Sequence, residues 1–214
     1  MIGESALPQT QGRAEWVRQR IGCLTGSRMS SVLVYTNKGG FRRASSTVRD
    51  KYSIVLVAER MIDGALNHFV TDAMQHGIDH EPDAIAEYER TRHVKVLPSE
   101  FIQHPSIEHF GGTPDGLVGS DGGLETKAPT TVKYATWRLS SKPPEEHVPQ
   151  IASYLSITGR RYWDLAAYDP RVKKGPRLTV WRYEPSGEDL EIVAEEARLF
   201  LQQVELIFRQ VTET

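Results

Sequence analysis

Residues 111–129 read GGTPDGLVGSDGGLETKAP and set Asp115, Glu125, Thr126 and Lys127 around glycine-rich turns. Asp115 follows Pro114 and precedes Gly116, a local bend beside a strand end. Glu125 and Lys127 are two apart, so on one strand they share a face while Thr126 points the other way. If the flanking strands pair across GSDGG, Asp115 and Glu125 lie on neighbouring strands and can converge. Two hard carboxylate oxygens suit Mg²⁺, which keeps several waters and completes its shell from substrate phosphate. The backbone carbonyl of Thr126 can add a ligand. Lys127 beside the ion can orient or deprotonate a water, or stabilise charge developing on phosphate. The chemistry that uses such a set is metal-assisted phosphodiester hydrolysis, with Mn²⁺ as a substitute ion. A P-D-G turn followed by E-x-K is also ordinary turn and edge-strand vocabulary, so the triplet alone leaves both readings open.

The elements that must position these residues are legible as patterns. AEWVRQRIGCLTGSRMSSVL reads as a helix, a turn at Thr25–Gly26, and a second helix with Ser27 as N-cap. STVRDKYSIVLVAERMIDGAL carries apolar residues at helical spacing, and TDAMQHGIDHEPDAIAEYERTRH reads as another helix with a bend at Gly77 and Pro82. From about residue 95 short, turn-punctuated runs predict an antiparallel meander. TTVKYATWRL and EEHVPQIASYLSITG return to helix, YWDLAAYDP and RLTVWRYEP to strand, and Glu188 to Val211 is an amphipathic helix. This order predicts an α/β (α+β) fold with a mixed central sheet flanked by helices.

Composition bounds the rest. The 214 residues, without repeats or low-complexity linker, are expected to form one domain. No apolar run is long enough for a membrane span, and MIGESALPQT lacks a signal pattern. A single cysteine, Cys23, excludes an intramolecular disulfide and makes a reducing cytoplasm the default. With a net charge of −2, any nucleic-acid surface must gather its positive charge locally. Two segments offer this, NKGGFRR at 37–43 and RVKKGPR at 171–177, although each is equally readable as a solvated loop. His76/His80 and His104/His109 have zinc-like spacings, but one cysteine and no HExxH give them no zinc-site pattern. The four tryptophans read as core packing.

The chain resembles the phage lambda exonuclease family, the YqaJ-type viral recombinases, in four ordered blocks between residue 16 and about 171. EWVRQRIGCLTGSRMSSVL resembles the opening W-x3-R-x-G block through Trp16, Arg20, Gly22, Thr25, Gly26 and Ser27. HGIDHEPDAIAEYE resembles the G-x3-E-x-x-A block through Gly77, Glu81 and Ala84. TPDGLVGSDGGLETKAP resembles the P-D-G-L…L-E-x-K block, with Thr113 for the usual serine, Ala128 for cysteine and Thr126 for an aliphatic residue. HVPQIASYLSITGRRYWDLAAYDPR resembles the block with a helical glutamine and a strand ending Y-D-P-R.

That resemblance implies a restriction-endonuclease-like core with a PD-(D/E)xK site. It implies Asp115, Glu125 and the Thr126 carbonyl as metal ligands, Glu81 as a helix-borne carboxylate for a second metal, and Lys127 as the catalytic lysine. Gln150 would help orient the nucleophilic water, and Arg20, Ser27 and Thr113 would hold a terminal 5′-phosphate. The expected activity is Mg²⁺-dependent 5′-to-3′ digestion of one strand at double-stranded DNA ends, leaving 3′ overhangs for a single-strand annealing protein. The resemblance further implies a homotrimeric ring in the cytoplasm of a bacterial host, encoded by a phage or prophage. The alternatives are a structure- or site-specific endonuclease of the same fold, or an inactive DNA-end-binding module.

Overall fold

The computed structural model describes residues 12–66 and 71–213; the amino-terminal stretch read for a signal lies outside them. The chain begins with helix α1 (Arg13–Arg20), strand β1 (Leu24–Thr25) and a 3-10 helix (Gly26–Ser31). A hairpin of β2 (Leu33–Thr36) and β3 (Gly40–Arg43) leads into helices α2 (Ser46–Ile62) and α3 (Asp72–Arg92). Five short strands follow: β4 (Val96–Leu97), β5 (Ile102–Gln103), β6 (Phe110–Gly112), β7 (Gly116–Val118) and β8 (Gly122–Lys127). Then come α4 (Thr131–Arg138), a 3-10 turn (Glu145–His147), α5 (Val148–Thr158), β9 (Tyr162–Tyr168), β10 (Leu178–Tyr183) and α6 (Gly187–Thr212).

The central sheet has the order β10-β9-β8-β7-β4 and is antiparallel except where β8 meets β9. That parallel pair needs a crossover, which α4 and α5 supply. β9 is covered on both sides, and its near-continuous run YWDLAAY is the composition such a strand requires. On one face Val118, Leu124, Ala166, Tyr168 and Leu178 pack against Ala84 and Tyr88 of α3. On the other, Trp163, Leu165 and Ala167 meet Ile151, Ala152 and Leu155 of α5 and Val193, Ala197 and Phe200 of α6. Strand alternation therefore sends Glu125 towards the α5 side and Thr126 towards the α3 side. A second sheet, β1-β6-β5, stands beside the first.

Helix ends follow local chemistry. Thr71 caps α3 by accepting the Met74 N–H, Ser186 and Asp189 form a reciprocal box at the start of α6, and left-handed Gly159 closes α5. One unbroken α3 passes Gly77 and Pro82. The expected second helix opened by Ser27 is corrected: Thr25 precedes a 3-10 helix, and Ser27 lies inside it. Glycine and serines in GSRMSS are weak helix formers, and the β-branched run that follows pairs as a hairpin instead.

Candidate active site

Chain direction builds the site. β6 belongs to the small sheet and β7 to the central one, so Thr113–Pro114–Asp115 is the bridge between them. The register Gly116↔Leu124, carried one step further, sets Asp115 opposite Glu125. Asp115 Oδ2 accepts the Thr126 backbone N–H at 2.6 Å and the Thr126 hydroxyl at 2.7 Å. Thr126 thus fixes Asp115 with its side chain, a job separate from the one expected of its carbonyl. Glu125 is only 3% exposed. Its Oε1 accepts from the Lys127 ammonium and, at 2.6 Å, from the Gln150 amide. Its Oε2 is buried without a hydrogen-bond partner among the described residues.

Charge is concentrated here. Burial, and then the charge of Asp115, push Glu125 up to about 7. Burial, then Asp115 and Glu125, push Glu81 on α3 up to about 8. Asp115 is also raised by burial, against the opposing pull of Lys127 and the two Thr126 hydrogen bonds. Burial alone would depress Lys127, but Glu125, Asp115 and Glu81 outweigh it and hold the ammonium. Among the described residues three carboxylates face one cation, and a buried carboxylate oxygen has no donor. That combination fits a divalent ion, with Asp115, Glu125 and the Thr126 carbonyl as the donors that would hold it. Glu81 feels both charges but closes no cage: among the described residues no three His, Cys, Asp or Glu side chains are arranged to hold a metal between them.

Gln150 is fixed from behind. Its amide also donates to the Tyr154 hydroxyl at 3.1 Å, and that hydroxyl donates to the Thr113 carbonyl at 3.3 Å. The Tyr154 ring is seated between Gly26 and Gly112, where a Cβ on either would stand 2.5 Å from it. On the far side of Thr113, its hydroxyl receives the Trp16 indole N–H at 3.0 Å and an Arg20 N–H at 3.4 Å. Arg20 lies over the Trp16 ring, 4.3 Å from its centroid, and burial lowers its pKa. Its position depends on the turn at Gly22, whose N–H is held by Glu59 and whose carbonyl is held by Arg60. Arg20 and Thr113 are therefore joined; Ser27 is exposed and shares a 3.3 Å contact with Thr25, with no bond to Arg20.

Two features escaped the sequence reading. Trp16 is not in the core but on the Arg20–Thr113 cluster, whereas Trp163 and Trp181 are core residues as expected. Tyr154 was not singled out, although it lies one helical turn after Gln150 on the same face. His147, just ahead of α5, is driven down to about 3 by burial and then by Lys127 and Lys133, so it stands neutral beside the lysine.

A mixed sheet between helices, with Asp115 just ahead of β7 and Glu125 and Lys127 in the second half of β8, is a restriction-endonuclease-like arrangement. The chain belongs to the family of the YqaJ-like viral recombinase domain, whose model matches residues 15–161. Among solved structures it is similar to an alkaline exonuclease from Laribacter hongkongensis, at 28% identity and TM-score 0.84, covering 94% of this chain and 96% of that one. A complex of that exonuclease with dAMP matches at 29% identity and TM-score 0.83, with 94% and 96% covered. A phage-related exonuclease from Haemophilus somnus, 12% identical with TM-score 0.65 over 89% and 96% of the two chains, shares the fold. No curated protein sequence matches the chain.

Proposed function

We propose that the chain is an Mg²⁺-dependent exodeoxyribonuclease that digests the 5′-terminated strand of linear duplex DNA and leaves 3′ overhangs. The observation that carries this is the Oε2 of Glu125, buried and without a donor among the described residues, beside Asp115 and Lys127, a combination that suits a cation next to a lysine. Family membership and similarity to alkaline exonucleases support it. The bound ion would supply Lewis acidity and a more acidic water. Asp115 and Glu125 would hold it, Lys127 and Gln150 would position the attacking water, and the Arg20–Thr113 cluster would receive the terminal phosphate. Mn²⁺ would substitute. The overhang would pass to a single-strand annealing protein, in the cytoplasm of a bacterium carrying the phage or prophage, with the enzyme acting as a homotrimer.

The test sets an end-labelled linear duplex beside a closed circle, each with and without Mg²⁺. Loss of the linear substrate only with Mg²⁺, with the circle intact, is the expected result. A cut circle would mean an endonuclease, and no cleavage at all an inactive end-binding module.

A further inference from the structure

The two basic segments of the sequence have different fates. In the β2–β3 hairpin, Arg43 is held by Glu196 at 2.7 Å and Asn37 by Glu145, so that segment is partly spent on holding the fold together. The loop between β9 and β10 is spent at its ends, Arg171 and Arg177, and not at Lys173 and Lys174 between them. It starts beside the site, where Arg171 donates to the Pro129 carbonyl at 2.8 Å, two residues after Lys127. It then runs along α4: the Tyr134 hydroxyl donates to the Pro176 carbonyl at 2.8 Å, and Arg138 reaches the same carbonyl at 3.5 Å. Loop and helix together expose Lys133, Arg138, Arg171, Lys173, Lys174 and Arg177.

Their charges are unequally spent. Arg171 is paired with Asp169 at 2.7 Å and Lys133 with Glu146 at 2.6 Å, while Arg177 acts on Glu87 of α3. Among the described residues Arg138, Lys173 and Lys174 have no carboxylate within ion-pair distance. On a chain of net charge −2, Lys173 and Lys174, with Arg138 beside them touching only the Pro176 carbonyl and the Tyr134 ring, are a local concentration of positive charge that no carboxylate among the described residues offsets.

We propose that this face, α4 with the β9–β10 loop, is a docking surface for the phosphate backbone of duplex DNA lying outside the candidate active site. The inference rests on the nuclease reading above and extends it to a surface. The eight residues of α4 span about 12 Å at a rise of about 1.5 Å each. One DNA strand presents a phosphate about every 3.4 Å along the axis, so about three contacts fit. Lysine and arginine on a glycine- and proline-containing loop can follow a backbone without reading bases, which suits an enzyme that must move along any sequence.

The experiment measures binding of a fluorescent duplex several helical turns long, in Ca²⁺ without turnover, across a salt series. Lys173→Gln/Lys174→Gln/Arg138→Gln should flatten the log Kd against log salt slope by about 2.7. Equivalently, wild type should lose about forty-fold more affinity than the variant between about 50 and 200 mM salt. Lys173→Gln/Lys174→Gln, which touches no packed contact, should flatten the slope by about 1.8, and Lys173→Arg/Lys174→Arg should restore it. Superimposable slopes for wild type and both glutamine variants overturn the proposal. So does a loss that appears only against an acidic partner protein and not against DNA. Hydrolysis of linear duplex by wild type with Mg²⁺ is read separately: if it is absent the nuclease reading fails, and if it is present with unchanged slopes only this surface fails.

Discussion

Asp115 and Glu125 have the same functional group and different support. Asp115 has one oxygen held twice by Thr126, whereas Glu125 has one oxygen shared by Lys127 and Gln150 and the other without a donor among the described residues. Asp115→Asn or Glu125→Gln removes a hard anionic oxygen and should abolish Mg²⁺-dependent cleavage while binding of DNA ends survives. Gel digestion beside a binding titration checks this, and turnover within a few-fold of wild type would remove either residue from the ligand set. Thr126→Val tests a smaller claim. It keeps the backbone N–H on Asp115 but deletes the hydroxyl bond, a charge-assisted contact of about 1.5–3 kcal/mol. The single-turnover cleavage rate should fall about tenfold or more, with added Mg²⁺ recovering part of the loss; an unchanged rate would mean that the backbone N–H alone fixes Asp115.

At the scale of elements, the site depends on backbones that come unusually close. Gly26 in the 3-10 helix and Gly112 at the end of β6 both face the Tyr154 ring of α5, so a methyl on either would sit at 2.5 Å. Gly26→Ala should therefore push α5 outward and loosen Gln150 from Glu125. The expected result is a melting temperature lower by several degrees, for a loss of about 1–3 kcal/mol, together with a drop in activity. Gly26→Ala/Tyr154→Phe should not rescue it, because the ring carbons clash rather than the hydroxyl; a full rescue would refute the packing argument. These contacts mark where the sequence stopped being legible. Strands β7 and β8 and the face shared by Glu125 and Lys127 followed from period-two alternation and a glycine-rich turn. Gln150 and Glu81 came only from the family resemblance, since a helical glutamine or glutamate carries no local sign of its use. The role of Trp16 and the seat of Tyr154 join positions about a hundred and about forty residues apart. No periodicity encodes such meetings. The hairpin β2–β3 was missed because SSVL continued an apparent helix into a β-branched run.

For the whole molecule, two expectations separate end-directed digestion from other uses of the same fold. If the Arg20–Thr113 cluster receives the end of the strand, a 5′-phosphorylated duplex should be digested about tenfold to a hundredfold faster than a 5′-hydroxyl one, from a charge-assisted contact of about 1.5–3 kcal/mol. Arg20→Ala should erase most of that preference without changing Mg²⁺ binding, and initial rates on the two duplexes at fixed salt decide it. The second expectation couples fold stability to the metal. Glu125 carries an ordinary carboxyl value of 4.5 when unfolded but about 7 in the folded chain, and Glu81 goes from 4.5 to about 8. Between these values the native state keeps protons that the unfolded chain has released, so the metal-free protein should lose stability as pH rises from about 4.5 towards 8. A divalent ion held at these carboxylates would reverse this, because it would bind their ionised forms and displace their protons. The rise in melting temperature on adding Mg²⁺ should therefore be small near pH 6 and several degrees larger near pH 9. Glu125→Gln should flatten both trends, since it would remove a titrating group and a proposed ligand together. Thermal melts at several pH values, with Mg²⁺ and with a chelator, measure it. A stabilisation by Mg²⁺ that is equal at both pH values, or larger in acid, would show that the ion does not bind at these carboxylates.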